Sequence, residues 1–162
     1  MTTPDKFATF LWFDGNAEEA VTFYTSIFTE ARVVSRMPGP GGKAMGVTFE
    51  LGEQRFTAFN GGPHYKLTAA VSIYVACETQ EEVDGYWDKL LAGGGKATRC
   101  GWLDDRFGLS WQIIPDALPA LLSDPDPARA GRAMQAMMTM QKLDIAALKR
   151  AADGVSPASP PR

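Results

Sequence analysis

The chain contains very few of the side chains on which metal and nucleophilic chemistry most often depend. Its 162 residues include one histidine, His64, and two cysteines, Cys77 and Cys100. Two cysteines cannot build a disulfide framework, and they suit the reducing conditions of the cytoplasm. We therefore expect a cytoplasmic protein, in which a single imidazole limits both zinc binding and acid–base catalysis.

Long apolar runs and an excess of positive charge are also missing. No apolar run approaches the roughly 20 residues that a membrane-spanning helix needs, and the N-terminal residues lack the basic and apolar regions of a secretory signal. The net charge of −3 provides no basic surface for nucleic acid. We therefore expect neither a membrane nor a nucleic acid as a partner of this chain.

The same order of predicted elements occurs twice along the chain. Residues 16–24 (NAEEAVTFY) and 79–87 (TQEEVDGYW) align without a gap, and each begins with an N-cap residue followed three positions later by a glutamate. This is a capping box, which marks the start of a helix. One strand-forming run precedes each helix and three follow it. The sequence predicts an α+β fold of tandem βαβββ repeats, because one repeat alone could not bury both faces of its sheet.

We assign the whole chain to one domain with four segments. The first repeat covers about residues 6–62 and the second about residues 69–115. A helical extension follows over about residues 116–152, in which Asp126-Pro127 is an N-cap with proline at the first helical position. The remaining residues, 153–162, are rich in proline and predict a mobile tail.

The strands that follow the helix in the second repeat are expected to be short. We predict them over residues 96–100, 102–106 and 109–114. Asp104 and Asp105 form a pair of neighbouring carboxylates, which would suit acid–base chemistry. Because glycine and charged residues surround the pair, a polar turn between two strands is the better interpretation.

Five segments resemble a known family in order: FDGNAEEAVTFYTSIF (13–28), FNGGP (59–63), EEVDGYWDKL (81–90), CGWLDDRFGLSWQIIP (100–115) and AMMTMQKLDIAAL (136–148). They are similar to the PhnB-like family of the vicinal oxygen chelate superfamily, which includes glyoxalase I, extradiol dioxygenases and bleomycin-resistance proteins. Many PhnB-like members carry the label 3-demethylubiquinone-9 3-methyltransferase. The resemblance implies curved mixed sheets around a concave pocket, the glyoxalase/bleomycin-resistance fold, and a homodimer.

The resemblance also indicates where the superfamily holds a divalent metal. Two of the ligand positions lie seven residues before the helix N-caps, at Thr9 and Ser72. A third lies four residues after the turn glycine Gly108, at Gln112, and the fourth falls near residues 58–60. Metal sites in proteins favour imidazole, thiolate or carboxylate ligands. Since these positions offer mainly hydroxyls and one amide, we expect neither a catalytic metal nor a cofactor.

We predict instead a pocket with a few polar groups in an apolar lining, which is typical of a small-molecule site. Strand alternation puts Leu11 with Thr9, Tyr74 with Ser72, and Ser110 with Gln112. The candidate pocket residues are Thr9, Leu11, Asn60, Ser72, Tyr74, Trp102, Ser110 and Gln112. For Gln112 itself, contact with a ligand, a hydrogen bond to a neighbouring backbone group and exposure to solvent all remain open. The sequence assigns no catalytic residue.

The methyltransferase label finds no support in the glycine pattern. Enzymes that use S-adenosylmethionine commonly have a glycine-rich turn between a strand and the helix that follows it. Residues 39–42 (GPGG) lie between two predicted strands, and residues 93–95 (GGG) end a helix. Neither cluster therefore stands where such a cofactor would be held.

The leading interpretation is a dimeric small-molecule-binding protein that requires no metal. The alternative is an enzyme, either a metal-assisted lyase, isomerase or dioxygenase, or the methyltransferase of the family label. A pure protein-interaction module would require the concave surface to be filled by side chains. The sequence does not identify the ligand, because hydroxyl and aromatic groups suit many small organic molecules.

Overall fold

A computed structural model gives the fold of residues 6–156. The chain divides into two compact units, which meet in sequence between Thr68 and Ala69. Within the described residues, no helix is long and apolar enough to cross a membrane. Of the predicted mobile tail, residues 157–162 lie outside the described part.

The first unit is a four-stranded mixed sheet with one α-helix, and a 3-10 turn (Pro40–Gly42) joins its second and third strands. Its elements are β1 (Thr9–Phe13), α1 (Ala17–Ile27), β2 (Ala31–Pro38), β3 (Ala44–Leu51) and β4 (Gln54–Asn60). The strands lie in the order β1-β4-β3-β2. The pair β1–β4 is parallel, and the other two pairs are antiparallel.

An aromatic cluster joins helix α1 to its sheet. Tyr24 of the helix lies 6.0 Å from Phe49, and Phe49 stacks on Phe56 at 5.2 Å between ring centroids. All three side chains are fully buried. Aromatic contacts of this kind contribute about 0.5–1.5 kcal/mol each beyond the burial of their surface. They fix which face of the first sheet the helix covers.

The second unit repeats this arrangement and adds three helices. Its elements are β5 (Ser72–Cys77), α2 (Gln80–Leu91), β6 (Lys96–Ala97), β7 (Trp102–Asp104), β8 (Ser110–Pro115), α3 (Ala117–Leu122), α4 (Pro127–Thr139) and α5 (Ile145–Ala152). The strand order β5-β8-β7-β6 matches that of the first sheet. Helix α2 begins as predicted, since Thr79 Oγ1 accepts a hydrogen bond from Glu82 N at 3.2 Å. The predicted tandem βαβββ fold is confirmed.

The strand predicted over residues 96–100 is wrong in length, because it ends after two residues. Cys100 and Gly101 adopt the left-handed conformation, with φ of 57° and 83°, which ends the extended run. Their amide groups instead donate to the extension: Cys100 N bonds to Met140 O at 2.9 Å, and Gly101 N to Gln141 O at 2.8 Å. This part of the second repeat is therefore fixed by residues far along the chain.

The helical extension covers one end of the second sheet. Ile114 of β8 packs in a buried cluster with Leu118, Leu143 and Leu148, which come from α3, the loop after α4, and α5. Burying side chains of this size stabilises a fold by roughly 1.5–3 kcal/mol each. The extension is thus part of the second unit's core.

The capping box predicted at the start of α1 does not provide the cap. The Asn16 side chain makes no capping hydrogen bond. Asn60, at the end of β4, takes that role: its Oδ1 accepts from Ala17 N at 2.9 Å, and its Nδ2 donates to Ala44 O at 2.9 Å. One side chain therefore connects a helix and two strands.

The two asparagines should differ in their effect on stability. We expect Asn60→Ala to lower the free energy of unfolding by about 1–2 kcal/mol, because it removes a helix cap and a second hydrogen bond. The matched control Asn16→Ala should cost less than about 0.5 kcal/mol. Urea denaturation followed by circular dichroism measures both. A larger loss for Asn16→Ala would contradict the assigned cap.

Candidate functional site

Five of the predicted pocket residues share one face of the second sheet. The parallel register of β5 and β8 pairs Ser72 with Ser110 and Tyr74 with Gln112. The antiparallel register of β7 and β8 pairs Trp102 with Gln112. Since paired residues in a sheet project from the same face, the structure brings all five predicted residues of the second repeat together.

This shared face lies opposite helix α2. The alternate residues Leu103, Trp111 and Ile113 are completely buried, as are Val83 and Leu90 on the helix. They form the packed layer between helix and sheet. The face with Gln112 therefore has no covering helix of its own, apart from the end at which the extension packs; we call it the open face of the second sheet.

A hydrogen bond joins the two residues at the centre of the open face. Gln112 Nε2 donates to Ser72 Oγ at 2.9 Å, and both side chains are half-buried. This bond uses one amide hydrogen and one hydroxyl lone pair. The carbonyl oxygen of Gln112 and the hydroxyl hydrogen of Ser72 can therefore bond to another molecule. The pair presents one acceptor and one donor side by side.

Two aromatic residues flank this polar pair. Tyr74 is 52% exposed. Partial burial, followed by the negative charge of Asp116, raises the pKa of Tyr74 above its usual value, so that its phenol keeps its proton and can donate a hydrogen bond. Trp102 is half-buried and offers a flat indole face. The centre of the open face thus combines neutral polar groups with aromatic surface.

Ser110 does not take part as predicted. It is 1% exposed, and its hydroxyl donates to Asp104 Oδ1 at 2.5 Å. The sequence placed Ser110 on the correct face, but its hydroxyl is bonded to Asp104, its partner on β7. Ser110 and Asp104 therefore form an internal structural pair.

In the first repeat, the structure corrects the predicted pocket lining. Thr9 pairs with Phe56 and Leu11 with Ala58 in the parallel register. Phe56 and Ala58 are buried under helix α1, and Leu11 is only 2% exposed. Leu11 is a core residue, Thr9 lies on the helix-facing side, and Asn60 caps the helix.

The length of the strand-to-helix connection explains this error. Strand β1 ends at Phe13, three residues before the N-cap Asn16, whereas β5 ends at Cys77, two residues before the N-cap Thr79. In a strand, a shift of one residue exchanges the two faces. The same offset of seven residues therefore selects the covered face in the first repeat and the open face in the second.

The uncovered face of the first sheet is aromatic instead. Phe59 contacts both Phe10 and Trp12, at ring-centroid distances of 5.4 and 5.2 Å. Trp12 also meets Tyr65 edge-on at 4.9 Å and donates its indole N–H to Gly62 O at 2.9 Å. The alternation in FATFLWF contained this signal, but the assumed register selected the other set of side chains.

The paired carboxylates of the CGWLDDRFG segment have structural roles. Asp105 is 3% exposed. Its Oδ1 accepts from the amides of Phe107 and Leu109 at 2.8 and 3.1 Å, and its Oδ2 accepts from the indole N–H of Trp111 at 2.9 Å. The buried carboxylate therefore fixes the turn between β7 and β8. Because β8 begins directly after this turn, the turn helps to position Gln112 on that strand.

The residues present do not fit a catalytic metal. Among residues 6–156, no three His, Cys, Asp or Glu side chains lie close enough together to hold a metal ion. Ser72 and Gln112 offer a hydroxyl and an amide, which are weak ligands for zinc or for harder cations.

The residues present do not fit S-adenosylmethionine either. Residues 39–42 lie between β2 and β3, and residues 93–95 lie between α2 and β6. The first cluster forms only a single 3-10 turn (Pro40–Gly42) within a hairpin, and the second follows a helix. Neither begins an α-helix after a strand, which is the arrangement that cradles such a cofactor.

Comparison with known proteins agrees with this architecture. Two successive βαβββ units with mixed four-stranded sheets define a glyoxalase/bleomycin-resistance-type protein. The sequence profile of the family described as 3-demethylubiquinone-9 3-methyltransferase matches residues 5–114. The chain belongs to this family. The profile ends before the extension, so the resemblance proposed for residues 136–148 lies outside it.

Solved structures support the same placement. The PhnB protein of Bacillus cereus, provisionally named a 3-demethylubiquinone-9 3-methyltransferase, is 37% identical over 68% of this chain and 99% of its own, with a TM-score of 0.61. Protein PA1353 of Pseudomonas aeruginosa is 20% identical over 65% of this chain and 92% of its own, with a TM-score of 0.54.

A third solved structure shares the fold at lower identity. The fosfomycin resistance protein FosX of Listeria monocytogenes was solved with Mn(II) and sulfate. It is 16% identical over 68% of this chain and 90% of its own, with a TM-score of 0.51. These last two likenesses concern the fold alone. No curated protein matches the chain.

Loss of the buried carboxylate should destabilise the second unit. We expect Asp105→Ala to lower the free energy of unfolding by about 3 kcal/mol, because it leaves the Trp111 indole N–H and two amides without their acceptor. Asp88→Ala, at an exposed position on α2, is the control and should change stability by less than about 0.5 kcal/mol. Thermal denaturation monitored by tryptophan fluorescence compares them. Equal free energies of unfolding for the two variants would show that the hydrogen bonds of Asp105 do not stabilise the fold.

The two cysteines should differ in reactivity. Cys77 is fully buried, and burial raises its pKa to about 12, with smaller contributions from Glu82 and Asp116. At pH 8 almost none of it is thiolate, the reactive form. Dithiobis(nitrobenzoate) should therefore label only half-buried Cys100 rapidly in the folded protein. Cys100→Ser should abolish that fast reaction until denaturant is added, and a fast thiol in this variant would be the contrary result.

Proposed function

We propose that this protein binds a small organic molecule at the open face of its second sheet and requires no metal for binding. The observation that carries the proposal is the hydrogen-bonded pair of Ser72 and Gln112, half-buried between Tyr74 and Trp102. A few oriented polar groups beside aromatic surface are typical of small-molecule sites. The family's fold, with a face left open in the second unit, also supports this function.

The chemistry of the face favours a neutral, partly aromatic ligand. Asp104 is engaged by the Ser110 hydroxyl, and the side chains at the centre, Ser72, Tyr74 and Gln112, carry no charge at neutral pH. A carbonyl or hydroxyl group of the ligand would meet the free donor and acceptor of the Ser72–Gln112 pair. A ring would lie against the Trp102 indole.

The proposal includes a homodimer as the working form of the protein. The family resemblance supports this part, and so do large apolar side chains that remain exposed in the first unit. Phe10 is 63% exposed and Met37 is 54% exposed. Apolar surface of this kind often marks a protein interface.

Methyl transfer is not part of the proposal. The name of the Bacillus cereus relative refers to that reaction, and the family carries the same description. In this chain the glycine clusters stand in a hairpin loop and after a helix, so nothing comparable to a methyl-donor site supports the reaction here. The function of a protein depends on its site and not on its fold alone.

Removing the central amide should weaken binding. A library of small neutral aromatic compounds, screened by thermal shift, supplies a ligand, and calorimetry then gives its Kd. We expect Gln112→Ala to raise that Kd on the order of tenfold, because one or two hydrogen bonds are lost. Gln54→Ala, at an exposed glutamine on β4 of the first sheet, is the matched control and should leave the Kd unchanged.

Two results would contradict the proposal. An equal Kd for the wild-type and Gln112→Ala proteins would place the ligand elsewhere. Metal analysis of protein purified without chelators provides the second check. One equivalent of a divalent ion, lost in Gln112→Ala, would show that the site holds a metal after all.

A further inference from the structure

The helical extension contains a groove that is separate from the open face of the second sheet. It has a volume of about 450 Å³ and lies between α4, α5 and the residues that follow α5. None of the residues that line it belongs to the segment matched by the family profile, residues 5–114. The groove is therefore a feature that this chain adds to the family fold.

Helical spacing creates the walls of the groove. On α4, Arg132 and Ala136 are four residues apart, and Met140 follows at the same interval as the residue that caps the end of the helix. On α5, Ala147 and Ala151 are again four residues apart. Residues at this spacing lie on one side of a helix. Because three of the five are alanines, the facing helices leave an apolar space between them.

Two arginines place positive charge at the groove. Arg132 donates from Nε to Ala151 O at 3.2 Å and to Ala152 O at 2.9 Å, and from Nη2 to Ala152 O. These bonds hold its guanidinium in place at the end of α5 and leave Nη1 for another partner. Arg150 lines the same groove and is exposed.

Among residues 6–156, no carboxylate offsets this charge within the groove. No aspartate or glutamate is among the lining residues. The nearest acid in sequence, Asp153, bonds to Arg129 at 2.6 Å. The groove is thus an apolar trough with uncompensated positive charge at its side.

We infer that this groove binds an amphipathic organic anion, a carboxylate or sulfonate with an apolar body. The apolar part would lie against Ala136, Met140 and Ala147, and the anionic group would meet Arg150 and the free Nη1 of Arg132. Guanidinium groups bind carboxylates and sulfonates through charge-assisted hydrogen bonds. The volume lies within the range of roughly 300–1,000 Å³ that is usual for ligand pockets. The inference does not rest on the function proposed for the open face.

Fluorescence titration with anilinonaphthalene sulfonate tests the charge requirement, with decanoate below its micelle concentration as competitor. We expect Arg150→Gln to raise the Kd of both anions on the order of tenfold, since a charge-assisted bond is lost. The matched control is Lys149→Gln, which removes the same charge from the adjacent residue of α5 that does not line the groove. It should change the Kd less than about twofold.

Three further measurements test the contact with the ligand's apolar body and the location of binding in the groove. Ala147→Leu fills the groove and should weaken decanoate binding, and decanol should compete poorly because it lacks the charge. In protein labelled at the methionine methyl groups, decanoate should shift the NMR signal of Met140 and leave that of Met37 on β2 unchanged. Equal losses in Arg150→Gln and Lys149→Gln would show attraction to net charge only. An unmoved Met140 signal, or decanol competing as well as decanoate, would likewise overturn the inference.

Discussion

Each four-stranded sheet in this protein has one helix of its own to cover it, and one helix covers one face. In the first unit, Tyr24 of α1 packs on Phe49 and Phe56 and so selects the buried face. Strand side chains alternate, so every second residue is directed to the other face. The half-buried Ser72–Gln112 pair exists because β5 and β8 run in parallel on a sheet whose helix lies on the opposite side. The candidate binding surface is thus the part of the second sheet that neither α2 nor the extension covers.

The sequence was sufficient to predict the repeat, every helix except α3, and which residues share a face, because these follow from local periodicity. It predicted that Ser72 and Gln112 belong together, and the structure joins them. Which face is covered was not predictable from alternation, and Leu11 was misplaced because the two strand-to-helix connections differ by one residue. The role of Asn60 as a cap was also hidden, since its partner Ala17 lies 43 positions away. Long-range hydrogen bonds leave no periodic pattern.

Family membership and chemistry separate at this site. The family is described by a methyl-transfer reaction, whereas the open face of the second sheet here has a serine and a glutamine at its centre. The two neighbouring acids have internal roles: Asp105 holds a turn, as the sequence predicted, and Asp104 accepts a hydrogen bond from a buried hydroxyl. What remains available at the centre of the open face is neutral. One fold can therefore hold sites of different chemistry.

The contact between the extension and the second repeat has a consequence for how this chain differs from shorter relatives. The amides of Cys100 and Gly101 bond to carbonyl groups beyond α4, and Ile114 packs against α3 and α5. A chain truncated at the family boundary would lose acceptors for both amides and expose Ile114 to water, and each loss is unfavourable. The extension therefore provides hydrogen-bond acceptors and apolar contacts that complete the repeat it joins.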